Sequence, residues 1–223
     1  MLAISGPALA LAGDSALGPK QLRNMLICSA SASTALGDYV SALEGFSTVR
    51  GEMDRQTVIF DWYWRMPLAA GMTELRLAMG DRTRAQLEAE RFLEISLATV
   101  NRHWQGLAWE VNSRVALENR NLYRAKECIA KAVATVQGFE VPLAAWRVHA
   151  TAARIDEESG NVEASLSHRN ISRVIIQRLA NSLPEQEPLR AIFLSAPAVS
   201  WILSGERSMS RTIVSSNKGW DLR

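Results

Sequence analysis

The chain has 223 residues, 48% of them hydrophobic, with 25 Lys+Arg against 23 Asp+Glu and a formal charge of +2. That length suffices for one core or a repeat array, and the hydrophobicity excludes wholesale disorder. The near-neutral balance leaves no basic footprint for nucleic acid, no apolar run reaches the roughly 18 residues of a membrane span, and Cys28 and Cys128 make neither a metal knuckle nor a disulfide scaffold.

Met1 to Ala12 is apolar and small, and Ala8-Leu9-Ala10 resembles a cleavage signal, but the first basic residue is Lys20 and Gly6-Pro7 interrupts the run. A secretory peptide needs a positively charged start. The expectation is a cytoplasmic protein with a flexible leader over 1–19. Next come four copies of one short pattern, a helix ending in a turn dipeptide with a small residue a few positions on. They are Gly37-Asp38 with Ala42, Gly80-Asp81 with Ala85, Arg120-Asn121 with Ala125, and Gly160-Asn161 with Ala164, the last one residue short. Turn to turn the spacing is 43, 40 and 40 residues. Gly accepts the left-handed conformation that ends a helix, and Asp or Asn caps the next one. The small residue lets the second helix lie close on the first.

The flanking stripes predict eight helices near 20–36, 39–53, 62–79, 81–99, 103–118, 121–136, 142–158 and 161–182. Leu122, Ala125, Ile129, Ala132, Val133 and Val136 show the helical period most clearly. Pro67 falls in the first turns of the third helix or kinks it, and Pro142 suits the start of the seventh. No sustained period-two alternation predicts a strand. The fold class is all-α, a right-handed α-solenoid of about four helical hairpins with a C-terminal capping helix near 187–194. It occupies 20–203, and 204–223 is expected to be a flexible tail in which Trp220 has no core partner.

A Gly-Asp turn followed by Ala, inside a repeated helical hairpin, resembles the tetratricopeptide repeat over about Leu22 to Leu183. Ala42, Ala85 and Ala125 match that family's small residue in the second helix, Phe46 and Ile129 the large apolar position, Ala132 the small one after it, and Ala30 the small residue of the first helix. The spacing exceeds the family's roughly 34 residues, so the helices are longer. Trp146 to Ile202, above all Ser182-Leu183-Pro184, Glu187 to Arg190 and Phe193 to Val199, is similar to the closing segment of tetratricopeptide regions in large bacterial signalling proteins. There an ATPase module and a cyclase, kinase or DNA-binding output domain precede the repeats. The resemblance implies a C-terminal part, or a stand-alone relative, of such a protein.

Motifs for chemistry are few. Gly13 to Lys20 comes near the phosphate-binding G-x-x-x-x-G-K-[ST] loop, but Pro19 intrudes and Gln21 replaces the hydroxyl. His103, His149 and His168 are isolated, and both cysteines fall within apolar stripes, where inert buried thiols are usual. Asn170-Ile171-Ser172 is a glycosylation sequon in mid-helix, and Asp156-Glu157-Glu158 reads as a solvated face at a helix C-terminus. With no acid–base pair, nucleophile or metal cluster, no enzyme and no cofactor are expected. Of seven tryptophans, Trp62, Trp64, Trp104, Trp109 and Trp146 lie near the starts of first helices, either packing between repeats or anchoring a ligand in the groove. Arg76, Trp109, Glu110, Arg114, Trp146 and Arg147, all on first helices, are the candidate groove residues. No Lys/Asn carboxylate clamp of the family is recognisable. The expected function is a non-catalytic interaction module holding a protein or peptide segment. Self-association through the N-terminal repeat is a further expectation, with neither nucleic acid nor membrane as partner. The alternative is a sensory module binding a small ligand in the groove and relaying it to an output domain.

Overall fold

A computed structural model describes residues 19–57 and 61–204. All of the expected leader but Pro19 and all of the expected tail but Ser204, including Trp220 and most of the Gly13–Lys20 loop, lie outside the described residues. Within them the chain is all-helical and repeat-like, with ten helices rather than the nine expected: α1 (Pro19–Leu36), α2 (Tyr39–Arg55), α3 (Asp61–Ala78), α4 (Arg82–Leu97), α5 (Arg102–Glu118), α6 (Leu122–Val136), α7 (Pro142–Glu158), α8 (Val162–Asn181), α9 (Pro188–Ser195) and α10 (Pro197–Ser204). Pro67 sits in the second turn of α3. Among the described residues no helix is long and apolar enough to cross a membrane.

The four turns are built alike. Gly37, Gly80 and Gly160 have φ of 81°, 73° and 76°, and Arg120, the non-glycine in this series, has 59°. In each, the N–H of the following Asp or Asn donates to a carbonyl five residues back, Asp38 to Ser33, Asp81 to Arg76, Asn121 to Ala116 and Asn161 to Asp156, at 2.8–3.0 Å. This bond marks a Schellman helix end. The side chains of Asp38, Asp81, Asn121 and Asn161 then accept from the N–H three residues on, capping α2, α4, α6 and α8.

Five residues after each turn a small side chain is buried: Ala42, Ala85, Ala125 and Ser165. The fourth repeat is therefore in full register. Ser165, not Ala164, fills the packing position, its hydroxyl donating to Ala153 O at 2.8 Å. A hydroxyl can occupy this place because it finds a carbonyl on the facing helix. Helices joined by a turn pack together (α1 on α2, α3 on α4, α5 on α6, α7 on α8), and the first helices also touch in sequence, α1–α3–α5–α7. Gly71 of α3 admits Phe46 of α2 so closely that a Cβ there would lie 2.5 Å from the ring.

One core cluster runs from Met66 to Ile155 through α3–α7, and a second joins α1, α2 and α3 around Phe46, Val49 and Met53. Buried Arg23 of α1 ties that helix to the ends of its neighbours, bonding Asp61 at the start of α3 and donating to Gln56 O, just past α2, at 2.8 Å. The C-terminal cover differs from expectation. Helix α9 buries no residue, whereas Val199 and Ile202 of α10 pack on Ile176 and Ala150. Pro197 can open a second short helix, with the apolar period falling at Val199 and Ile202.

Candidate functional site

Residues at one position of successive first helices share a face, so side chains one repeat apart meet. Glu74 of α3 and Arg114 of α5, forty residues apart, form a two-pronged ion pair in which Nη1 donates to Oε2 at 3.0 Å and Nη2 to Oε1. Arg114 Nε also donates to Glu110 Oε1 at 2.7 Å, four residues back on the same helix. From α7, Thr151 Oγ1 donates to Glu110 Oε1 at 2.6 Å and Arg147 Nη2 to Glu74 Oε1 at 2.5 Å. A second approach brings Arg147 within 3.8 Å of Glu110 Oε2. Two carboxylates and two guanidiniums thus form one ladder across three helices.

The ladder floors a cavity of about 740 Å³ whose lining comes from α1, α3, α5 and α7, with Phe92 of α4 and Ala198 of α10. Because α1 and α7 both line it, the row of first helices curves around it. Its walls are largely apolar: Pro67, Ala70, Leu107, Val111 and Ala150 surround Trp104 and Trp146. Trp104 is held edge-on by Phe92 and His103, and Trp146 by Phe193.

Withdrawal from water pushes the Glu74 carboxyl up, but Arg114 and Arg147 outweigh it and hold it at about 2. Burial likewise disfavours charged Arg114, yet Glu110 and Glu74 raise its pKa above the ordinary arginine value. His103 is lowered by burial and then by Arg147. Glu74 is therefore a carboxylate and Arg114 a guanidinium at neutral pH, and the ladder pairs two acidic side chains with two basic ones.

Four of the six candidate groove residues, Glu110, Arg114, Trp146 and Arg147, line this cavity. The other two lie elsewhere. Arg76 is buried toward the hairpin turn, 3.7 Å from Asp81. Trp109 faces α6, its ring beneath the Lys131 ammonium at 4.7 Å. Sequence reasoning missed Glu74 and Thr151 and left Trp104 among the packing tryptophans. The one-period offset between Glu74 and Arg114 was the available signal.

Three further expectations change. His149 and His168 are not isolated: their Nδ1 atoms lie 2.8 Å apart across α7 and α8, with Asp156 3.8 Å from His168 Nε2. Burial and His168 lower the His149 imidazole to about 4. Cys28 is exposed, whereas Cys128 is buried and burial pushes its thiol up. In the acidic run Glu157 lies near Arg169 and Glu158 near Arg154, while Asp156 lies near the His168 ring. Among the described residues no group of three or more His, Cys, Asp or Glu could hold a metal ion.

These helices and this cavity define an all-helical, repeat-like protein. Among solved structures the chain is similar to BtubC (BKLC) from P. vanneervenii, with a TM-score of 0.65 over 91% of this chain and 83% of that one, at 15% identity. At that identity the likeness concerns the fold alone. No family model and no curated protein matches the sequence.

Proposed function

We propose that the chain is a non-catalytic interaction module, a right-handed tetratricopeptide-like solenoid of four hairpins closed by a C-terminal cap, whose concave face holds a segment of a partner protein. The observation that carries this reading is a single cavity lined by the first helix of every hairpin. Solenoids bury their core by stacking and leave such a surface for binding. The tryptophans and arginines along it are the residue types that anchor interfaces. Cytoplasmic location and descent from the C-terminal repeats of bacterial signalling proteins belong to the same proposal, on the sequence resemblance. A second reading is favoured by the cavity volume, which lies within the span of small-molecule sites. In it the groove takes a metabolite and relays its presence.

The test pairs the native chain with Ala78→Trp, which fills the cavity from an exposed position at the end of α3. Both are used as bait, and retained proteins and small molecules are measured by mass spectrometry. A polypeptide held stoichiometrically by the native chain and lost by the variant supports the first reading. A metabolite with that behaviour supports the second. A partner held equally by both places binding outside the groove and overturns both.

A further inference from the structure

Taking the groove as the binding site, its polar groups say what it accepts. Glu74, Glu110, Arg114 and Arg147 carry two negative and two positive charges that pair with one another. Glu74 accepts at both oxygens from Arg114, and Glu110 Oε1 accepts from Arg114 and Thr151. The remaining lining hydroxyls are engaged as well, Ser31 donating to Ile27 O and Thr34 to Ala30 O. A ligand carboxylate entering here meets guanidiniums already neutralised by closer carboxylates, and a ligand ammonium meets carboxylates already neutralised by arginines. Either would leave water without meeting an uncompensated opposite charge, so that most of its desolvation is not offset. Arg147, with 36% of its side chain exposed, uses only Nη2 in the ladder and can also donate to an acceptor such as a peptide carbonyl. What the walls offer is apolar surface and two indoles.

We propose that the groove selects an electrically neutral, apolar peptide segment and discriminates against any segment with a charged side chain at its centre. The discrimination is set by the cancelled floor. Leaving one such group unpaired at a buried contact weakens binding by about 10- to 100-fold. Uncancelling the floor should redirect the choice. Glu74→Gln leaves the floor with one excess positive charge and should turn selection toward acidic segments. Arg114→Gln leaves one excess negative charge and should turn it toward basic ones.

The experiment selects a random peptide display library on the full chain, on the two charge variants and on the groove-filled Ala78→Trp chain, with circular dichroism to verify helix content. Enriched peptides are then synthesised with and without a central Asp or Lys. The expected result is apolar, centrally uncharged peptides for the native chain, a loss of about tenfold or more on adding the central charge, and opposite shifts in the two variants. Native-selected peptides with a charged centre overturn the charge rule while leaving the groove as a peptide site. So does the same peptide class from the native chain and both variants. Enrichment no greater than on Ala78→Trp overturns the groove reading itself, and the charge rule with it. If one charge variant fails to fold, the other still reads the sign of the shift.

Discussion

Removing Glu110 should be the most damaging single change in the groove. Its side chain is 2% exposed and accepts hydrogen bonds from Arg114 Nε and Thr151 Oγ1. In Glu110→Ala, Arg114 and Arg147 are left to share Glu74, so two guanidiniums face one carboxylate and Thr151 loses its acceptor. Breaking a buried pair from one side costs about 3–5 kcal/mol. Arg114 is 22% exposed beside an open cavity, which screens part of this and leaves about 2–3 kcal/mol. At this chain length that is a fall of about 5–10 °C in Tm. Glu110→Gln keeps the volume and an acceptor for Thr151 and should lose about half as much. Glu158→Ala, which breaks the exposed pair with Arg154, is the control and should cost about 0.5 kcal/mol or less. Urea unfolding followed by far-UV circular dichroism, with indole fluorescence as a second probe, measures all three. A Glu110→Ala loss no larger than that of Glu158→Ala would refute the ladder as a buried, coupled network.

The third turn forces Arg120 to φ 59°, which strains an L-residue by about 1–2 kcal/mol. Arg120→Gly should raise stability by about 0.5–1 kcal/mol, part of the relief being offset by the freer unfolded chain; a loss in the same urea assay would mean that the side chain holds the turn. His149 titrates near 4 rather than 6.5 because the fold disfavours its charged form. The unfolded chain therefore binds more protons between those values, and this contribution is complete above pH 6.5 and lost as pH falls toward 4. About 1–2 kcal/mol should disappear over that window, discounted because the ring is half-buried. His149→Phe should flatten the pH dependence there, and an unchanged slope would show that another group is responsible. The depressed Glu74 carboxyl acts lower, its contribution being lost only as pH falls from about 4.5 toward 2.

Turns were the most legible part of the sequence because their chemistry is local. A left-handed residue followed by a capping Asp or Asn fixes a helix end within a few positions, and each of the first eight helices begins and ends within two residues of its expected bound. The face a side chain presents was harder to read. Successive residues turn about 100° around a helix, so Arg76, two positions from Glu74, points about 200° away toward the hairpin turn. Trp109, one position from Glu110, is carried about 100° off the groove onto α6. Naming first-helix residues without fixing the inward azimuth therefore mixed groove with flank. Ser165 was passed over because only Ala was sought at the packing position, though its hydroxyl is satisfied by a facing carbonyl. The His149–His168 pair joins positions 19 apart on two helices, a separation that no pattern within one helix reveals.

The four charges on the groove floor set its shape as well as its neutrality. Arg147 reaches Glu74 from two hairpins away, 73 residues along the chain, and can do so only if the first helices close around α5. An apolar floor would hold α3, α5 and α7 together by area alone, which is non-directional and tolerates several relative placements. Bidentate and shared guanidinium bonds fix distance and direction together. Curvature and charge can be separated by chemistry. Glu74→Gln retains an acceptor for Arg114 and Arg147 and hence most of the geometry while removing the charge, whereas Glu74→Ala removes both. A groove that changes its ligand preference in the first variant and loses all binding in the second has its selectivity in the charge balance and its shape in the hydrogen bonds.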